Sequence, residues 1–469
     1  MALLKGLDGA APLLGLLLVL TGACSGGATP HENQAGSAGM YGESPAGSAG
    51  RGGSAQAGAA AGGSTQGGGL AGGSEQGGGH AGGAGGATKF DPTDLQLNDV
   101  SVLFPLPKTE QEQLLPMTAK GARGLLLPEK VYDGVGHILG SFNPNPGSIG
   151  GDYEAPYANL RVVALRVDPC FAALAPAQNG GDCQNQLRLV VQEIDAMGAF
   201  DSALHLFYAI SRDELLELVA GIAGLRQTLA PGARMGKLQR HPVMAAEGLA
   251  GAMASGVRSA VLAHAGEQNL VRITRMSAQG GPFWHFSGFD LAAGELTPMH
   301  IPTLPSGDDV SQRLDRGFGG LEKVHPTAVP VSGSEDDFMV LLDFQAAQAL
   351  SKAEQQAKFA SLLRVENPGH HSPNTLDCVS CHAATPATRL VVEPTLGLSS
   401  AGSTPRFLPD PKLISEAELE ATFDDQEPLT NVHAFSYTRM GGVGINQRAV
   451  NESAAVVEYL SKQTFPGQR

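Results

Sequence analysis

Residues 378–382 read Cys378-Val379-Ser380-Cys381-His382, and this run decides which fold we expect for the C-terminal part of the chain. Two cysteines stand two residues apart, and a histidine follows the second directly. With 5 cysteines and 13 histidines in 469 residues, chance alone gives roughly 0.0015 copies of this pattern. The run is therefore a strong chemical signal.

Three kinds of site could use these residues. In a c-type haem site, Cys378 and Cys381 form thioethers to the haem vinyl groups and His382 ligates the iron. A zinc site could combine the cysteines with His382 or with His370 and His371, but the chain lacks a second Cys-x-x-Cys to complete a closed tetrahedron. A disulfide or a redox-active dithiol is the third alternative, although the sequence shows no thioredoxin-like βαβ unit around the run. We expect one covalent haem c.

The segment after the run resembles class I cytochromes c. It contains a capping box, Ser415-Glu-Ala-Glu418, which predicts a short helix through Phe423. A glycine-rich turn follows Met440, and a terminal helix is expected from about Asn451, with apolar residues on one face. In that family a methionine from an irregular loop supplies the sixth iron ligand. The resemblance therefore implies Met440 as the partner of His382, with His433, or His370 or His371, as alternatives.

One departure from that family concerns the approach to the run. Residues 366–377 contain two prolines and a glycine, which forbid a helix there. A capping box at Ser351 predicts a helix that ends near Arg364, and this helix could pack in place of the missing element.

The upstream region, residues 89–365, has mixed α and β patterns. Runs of branched apolar residues predict strands at 160–167, 186–194, 203–210, 269–276 and 338–344. Helices are expected after Ser211 and across 241–265. We find no phosphate-binding glycine loop, nucleophile elbow or His-Glu-x-x-His motif. The predicted class is α+β: a mixed α/β domain over 89–365 with no assigned role, then a small, mostly helical cytochrome c-like domain over 366–469.

The N-terminus indicates export. The apolar run Ala10–Leu20 is too short to span a bilayer but suits a signal peptide. The following residues, Leu20-Thr-Gly-Ala-Cys24-Ser25, resemble the lipobox of bacterial lipoproteins, although Thr21 stands where that family usually has leucine. The resemblance implies a signal peptide and lipobox over 1–24, a lipid on Cys24 as the only membrane anchor, and, from Ser25, an outer-membrane location facing the periplasm or the cell surface. An ordinary cleavage site is the alternative.

Residues 25–88 are rich in glycine, alanine and serine and contain a ten-residue repeat, so we expect a disordered tether. Cys170 and Cys183 lie between two predicted strands, where a disulfide would close the loop in an oxidising compartment. The formal net charge of −15 argues against a nucleic-acid partner and suits docking to a redox protein.

These expectations combine into an electron-transfer lipoprotein of the cell envelope with one haem c. Two alternatives remain. One is a haem enzyme with an open sixth position. The other is a non-haem binding or structural lipoprotein in which the Cys-x-x-Cys is a disulfide.

Overall fold

The computed structural model describes residues 90–109, 112–142, 155–169, 184–196, 198–278, 283–301, 311–315, 336–423 and 431–466. They belong to one compact unit, Gly82–Arg469. The predicted signal peptide with Cys24, the tether, and the cysteines Cys170 and Cys183 lie outside the described residues. None of the helices in the described ranges combines the length and the apolar character that a membrane span requires.

The described ranges contain one large sheet and two small ones, and the strands of the small sheets are short. The bounds of the strands are β1 Ser101–Leu103, β2 Lys120–Gly121, β3 Gly124–Leu125, β4 Leu160–Asp168, β5 Gln186–Asp195, β6 Gly198–Ala209, β7 Leu270–Ala278, β8 Phe283–Ala292, β9 Glu295–Pro298, β10 Ser311–Asp315, β11 Thr422–Phe423, β12 Phe435–Tyr437 and β13 Val443–Ile445.

The α-helices lie before, between and after these strands. Their bounds are α1 Leu97–Val100, α2 Glu129–Phe142, α3 Arg212–Leu229, α4 Pro242–Glu247, α5 Ala252–His264, α6 Phe344–Ala349, α7 Lys352–Val365, α8 Cys378–Ala387 and α9 Gln447–Leu460. A π-helix, Thr388–Leu396, continues α8.

The large sheet is antiparallel. Its strand order is β1-β4-β5-β6-β7-β8-β10, and β9 pairs with β8. Strands β4 to β8 are rich in branched and aromatic residues, which pack well on a pleated surface. The central strand β6 is fixed on both sides, since His205 lies opposite Val190 of β5 and opposite Thr274 of β7.

The two faces of this sheet differ in chemistry because successive side chains point to opposite sides. On β6, Leu204, Leu206 and Tyr208 are buried in the core. The residues between them, His205 and Phe207, face the other side and line a cavity. The second face of the sheet is therefore the one that borders the candidate site.

The C-terminal elements join the core of the upstream region. The Gln192 side chain on β5 donates to the Tyr437 carbonyl at 2.7 Å and accepts from the Tyr437 backbone amide at 2.9 Å. Ser453 of α9 is hydrogen-bonded to Ser101 of β1 at 2.6 Å. Buried apolar residues on both sides of position 365 form one hydrophobic cluster. The proposed division into two domains at that position stays a prediction.

The predicted mixture of helices and strands is confirmed, and so are several predicted elements. Strands appear at 160–168, 186–195, 198–209 and 270–278. Ser211 caps α3 and Ser351 caps α7, each through a capping box. These predictions held because the deciding residues are neighbours in sequence.

Three predicted elements were wrong. Residues 338–344 do not form a strand: a 3₁₀-helix covers Met339–Leu342, and Asp343 caps α6 by accepting from the Gln345 and Ala346 amides. The single helix expected over 241–265 is broken between α4 and α5, where Gly248 has φ of 78°. After Ser415 the chain forms only a 3₁₀-helix, Glu416–Leu419, and then enters β11.

Candidate functional site

The Cys-x-x-Cys-His run forms the first turn of α8, which the sheet holds in place. Asp377 is the N-cap, and its Oδ2 accepts from the Ser380 amide at 2.8 Å. Gln312 of β10 donates from Nε2 to the same carboxylate oxygen at 2.9 Å and accepts from the Val379 amide at 3.1 Å. One glutamine therefore ties the start of the helix to the edge of the sheet.

Both cysteines of the run are free thiols of intermediate exposure. Burial raises the pKa of Cys381 to about 11 and raises the pKa of Cys378 still further, so both thiols are held neutral. A redox-active dithiol needs a stabilised thiolate. The surroundings therefore do not favour that alternative, even though Cys378 stands at a helix N-terminus.

His382 has a fixed orientation. Its Nδ1 donates to the backbone carbonyl of Val432 at 2.6 Å. This bond places the proton on Nδ1 and leaves the lone pair on Nε2, the arrangement common for metal-ligating histidines. Burial lowers the pKa of His382 to about 4, which keeps the ring neutral at physiological pH.

Cys378, Cys381 and His382 open into one cavity of about 640 Å³ between α8 and the second face of the sheet. Its size lies within the roughly 300–1,000 Å³ typical of cofactor and ligand sites. The apolar part of its wall is formed by Phe207, Met276, Phe286, Leu291, Met299 and Leu376.

Arginines dominate the polar part of the wall. Arg166 and Arg448 both bond Glu452, at 2.8 and 2.7 Å. Arg272 bonds Asp290 at 2.6 Å, and Arg188 pairs with Asp168. With Arg275, five arginines line the cavity against four acidic residues, Asp168, Asp290, Asp377 and Glu452, a formal charge of +1. This lining contrasts with the net charge of −15 for the chain.

His205 faces His382 across this cavity. Their ring centroids are 6.4 Å apart, and the ring planes differ by 17°. In the described part of the chain no hydrogen bond is formed by either ring nitrogen of His205. Burial, together with the neighbouring His382, lowers the pKa of His205 to about 3, so its ring is neutral. His205 could not be singled out from the sequence, because its place at the cavity depends on the register of three strands.

The alternative histidine ligands considered from the sequence have other partners. His433 is hydrogen-bonded through Nδ1 to Ser436 at 2.7 Å and through Nε2 to Asp201 at 3.4 Å. His371 donates from Nε2 to Asp336 at 2.7 Å. His370 is exposed.

No group of three or more His, Cys, Asp or Glu side chains placed to hold a metal ion occurs in the described ranges.

Met440, the predicted sixth ligand, lies in a 3₁₀ turn, Arg439–Gly441, and its side chain lies outside the described residues. The adjacent Arg439 amide donates to Asp201 of β6 at 2.7 Å. Asp201 and His205 share that strand, and at about 3.3 Å per residue their Cα atoms are roughly 13 Å apart.

Asn446 couples the last helix to the motif. Its Oδ1 accepts from the Ala449 amide at 2.8 Å as the N-cap of α9, and its Nδ2 donates to the Cys381 carbonyl at 3.1 Å. We expect Asn446→Ala to lower the free energy of unfolding by about 2 kcal/mol, since a cap and a buried hydrogen bond are each worth about 1 kcal/mol. Asn446→Asp keeps the cap acceptor but loses the donor. Urea unfolding should therefore show a smaller loss of the free energy of unfolding for Asn446→Asp than for Asn446→Ala. Equal behaviour of Asn446→Ala and wild type would contradict this role.

Glu366 predicts a pH dependence of stability. It accepts from the Thr385 hydroxyl at 2.7 Å, and burial raises its pKa from 4.5 to about 7. Between pH 4.5 and about pH 7, the Glu366 carboxyl is therefore protonated in the folded chain but ionised in the unfolded chain. The resulting stabilisation is complete below pH 4.5 and disappears as the pH rises through 7. It amounts to about 3 kcal/mol.

The test compares wild type with Glu366→Gln, which keeps an oxygen for Thr385 but cannot titrate. Urea unfolding at pH 5 and pH 8 should show wild type losing more stability than the variant over this interval. An equal loss in both proteins would assign the pH dependence to other groups.

The site thus joins a helix turn that carries two thiols and a histidine to a sheet face that carries arginines and a second histidine. The chain was compared with models of protein families, with curated proteins and with solved structures, and none of the three comparisons gives a match.

Proposed function

We propose that this chain is an extracytoplasmic electron-transfer protein that carries one covalently bound haem c. The observation that carries the proposal is that Cys378, Cys381 and His382 open together into one cavity of about 640 Å³. The rarity of the Cys-x-x-Cys-His pattern and the geometry of the cavity are independent of each other. Both support the same cofactor.

The residues present fit a haem. The two thiols stand on one turn of α8 and would form thioethers to the vinyl groups, while His382 presents Nε2 to the iron. The arginines of the wall would bind the two propionates, for which guanidinium is the best-matched partner. When bound, the haem supplies a one-electron couple between ferric and ferrous iron. Phe207 and Phe286 would cover its apolar surface and keep water away.

The helices around the motif support a cytochrome c-like arrangement. Arg448 of α9 donates to the Val365 carbonyl at the end of α7 at 2.9 Å, and Asn446 bonds α8. This contact between α7 and the terminal helix supports the proposal that α7 substitutes for the missing N-terminal helix. Residues 89–365 then have a role as well, because their sheet supplies the second wall of the cavity.

The location and the partner are part of the same proposal. A signal peptide would export the chain, a lipid on Cys24 would anchor it to the outer membrane, and residues 25–88 would hold the haem unit away from the membrane surface. The partner would be a redox protein with a basic docking surface, since the chain carries a net charge of −15. Cys170 and Cys183 would form a disulfide in that oxidising compartment.

The deciding experiment produces the full chain together with a cytochrome c maturation system. After denaturation, reduction with dithionite and addition of alkaline pyridine, covalent haem should give a sharp band at about 550 nm. The intact mass should increase by one haem. A protein without either signature would overturn the proposal and favour an envelope lipoprotein with a Cys378–Cys381 disulfide.

A further inference from the structure

We infer that His205 is the second axial ligand of the haem iron, opposite His382. This inference rests on the proposed function, since it concerns the iron of the same haem. It assigns the ligand to the central strand of the sheet, whereas the sequence had placed it in the C-terminal segment.

The spacing of the two rings supports this assignment. Two imidazoles bonded to opposite sides of one metal ion at about 2 Å have ring centroids roughly 6 Å apart. The centroids of His205 and His382 are 6.4 Å apart. The two elements therefore already hold their rings at the separation that a shared metal ion requires.

The availability of the two rings also supports it. His382 uses Nδ1 for the Val432 carbonyl, which leaves Nε2 as the free nitrogen. His205 forms no hydrogen bond within the described ranges, although it lies on the wall of a cavity rich in polar groups. His205 is partly exposed and lines the cavity, so its ring nitrogens are available to a metal ion held there. By contrast, His433 and His371 are already engaged with Asp201 and Asp336.

The backbone around His205 is well suited to fix a ligand. β6 is paired on both sides, and His205 stands between Val190 and Thr274 in the register. A ligand on such a strand is positioned more accurately than one on a loop. Two methionines that line the same cavity, Met276 and Met299, are the alternative ligands with a thioether sulfur.

The assignment has a functional consequence. Two imidazole ligands give a lower reduction potential than an imidazole with a thioether. They also leave no open position for oxygen or peroxide. The protein would then be a low-potential electron carrier, and the enzyme with an open sixth position would be excluded.

The test uses the haem-loaded full chain and the variants His205→Ala and His205→Met. Wild type should lack the weak far-red band that sulfur ligation gives to ferric haem, and its ferrous form should not bind carbon monoxide. His205→Ala should keep the covalent haem, bind carbon monoxide and regain the wild-type spectrum when imidazole is added. His205→Met should gain the sulfur band and a higher potential. His264→Ala, a histidine change on α5, is the matched control and should match wild type.

The outcomes separate the two proposals. Wild type without covalent haem overturns the proposed function itself. Covalent haem with a sulfur band that disappears in Met299→Leu, Met276→Leu or Met440→Leu overturns the assignment of His205 and leaves the proposed function standing. A wild-type spectrum with two nitrogen ligands that persists unchanged in His205→Ala also overturns it. If His205→Ala does not fold, the wild-type spectrum and the sulfur band of His205→Met still show whether His205 is the ligand.

Discussion

Loss of all covalent haem is the expected result for the double variant Cys378→Ser, Cys381→Ser. A serine hydroxyl does not add to a vinyl group under the conditions that join a thiol, so no thioether forms. Each single variant should keep one attachment and a reduced yield of haem protein. The measurement is the haem that remains with the polypeptide after denaturation, read from the pyridine spectrum and from the intact mass.

Ser380→Ala is the matched control for this pair. Ser380 stands between the two cysteines, is fully buried, and its hydroxyl has no hydrogen-bond partner in the described part of the chain. The variant should therefore fold and keep its haem. Covalent haem in the double cysteine variant would contradict the attachment chemistry. Loss of haem in Ser380→Ala as well would show that any change in this turn prevents attachment.

Arg226→Ala should produce the largest loss of stability among single changes outside the cavity. Arg226 has a fully buried side chain and bonds the buried Asp99 through Nε at 3.1 Å and through Nη2 at 2.8 Å. It also donates from Nη1 to Asp94 at 2.7 Å. Removing one member of a buried pair leaves the other charge unpaired, which costs about 3–5 kcal/mol. The free energy of unfolding in urea measures this loss.

The control removes both charges, as Arg226→Met with Asp99→Leu. Apolar replacement of a whole buried pair costs much less than breaking it. We therefore expect the double variant to be more stable than Arg226→Ala. If both proteins lose the same free energy, packing of the arginine side chain accounts for the effect and the ion pair does not.

The motif could be recognised from the sequence because it occupies five consecutive residues. The strands β4 to β7 could also be predicted from neighbouring residues, because the apolar pattern within each segment indicates a strand. Ser211 and Ser351 marked two helix starts because a capping box spans only four positions. The haem itself remains a prediction that the visible spectrum will test.

The opposite wall of the cavity could not be predicted. Arg166, Arg188, His205 and Arg272 lie on four different strands, and only the register of the sheet brings them together. A shift of one residue would turn each of them to the other face. The prediction for residues 338–344 was wrong for another reason, because a short apolar run does not distinguish a strand from a helix. Here the run forms a 3₁₀-helix, and Asp343 then caps α6.

The way in which the cavity is closed sets an order of events during maturation. The bond between Arg166 and Glu452 joins positions 286 residues apart, so this wall is completed only when most of the chain has folded. Once it is complete, the two thiols are only partly exposed, on the wall of the cavity between α8 and the sheet. Under the proposed function, we therefore expect haem to be joined most readily to a chain in which this wall is still open. A chain that folds before it meets haem should acquire the cofactor more slowly.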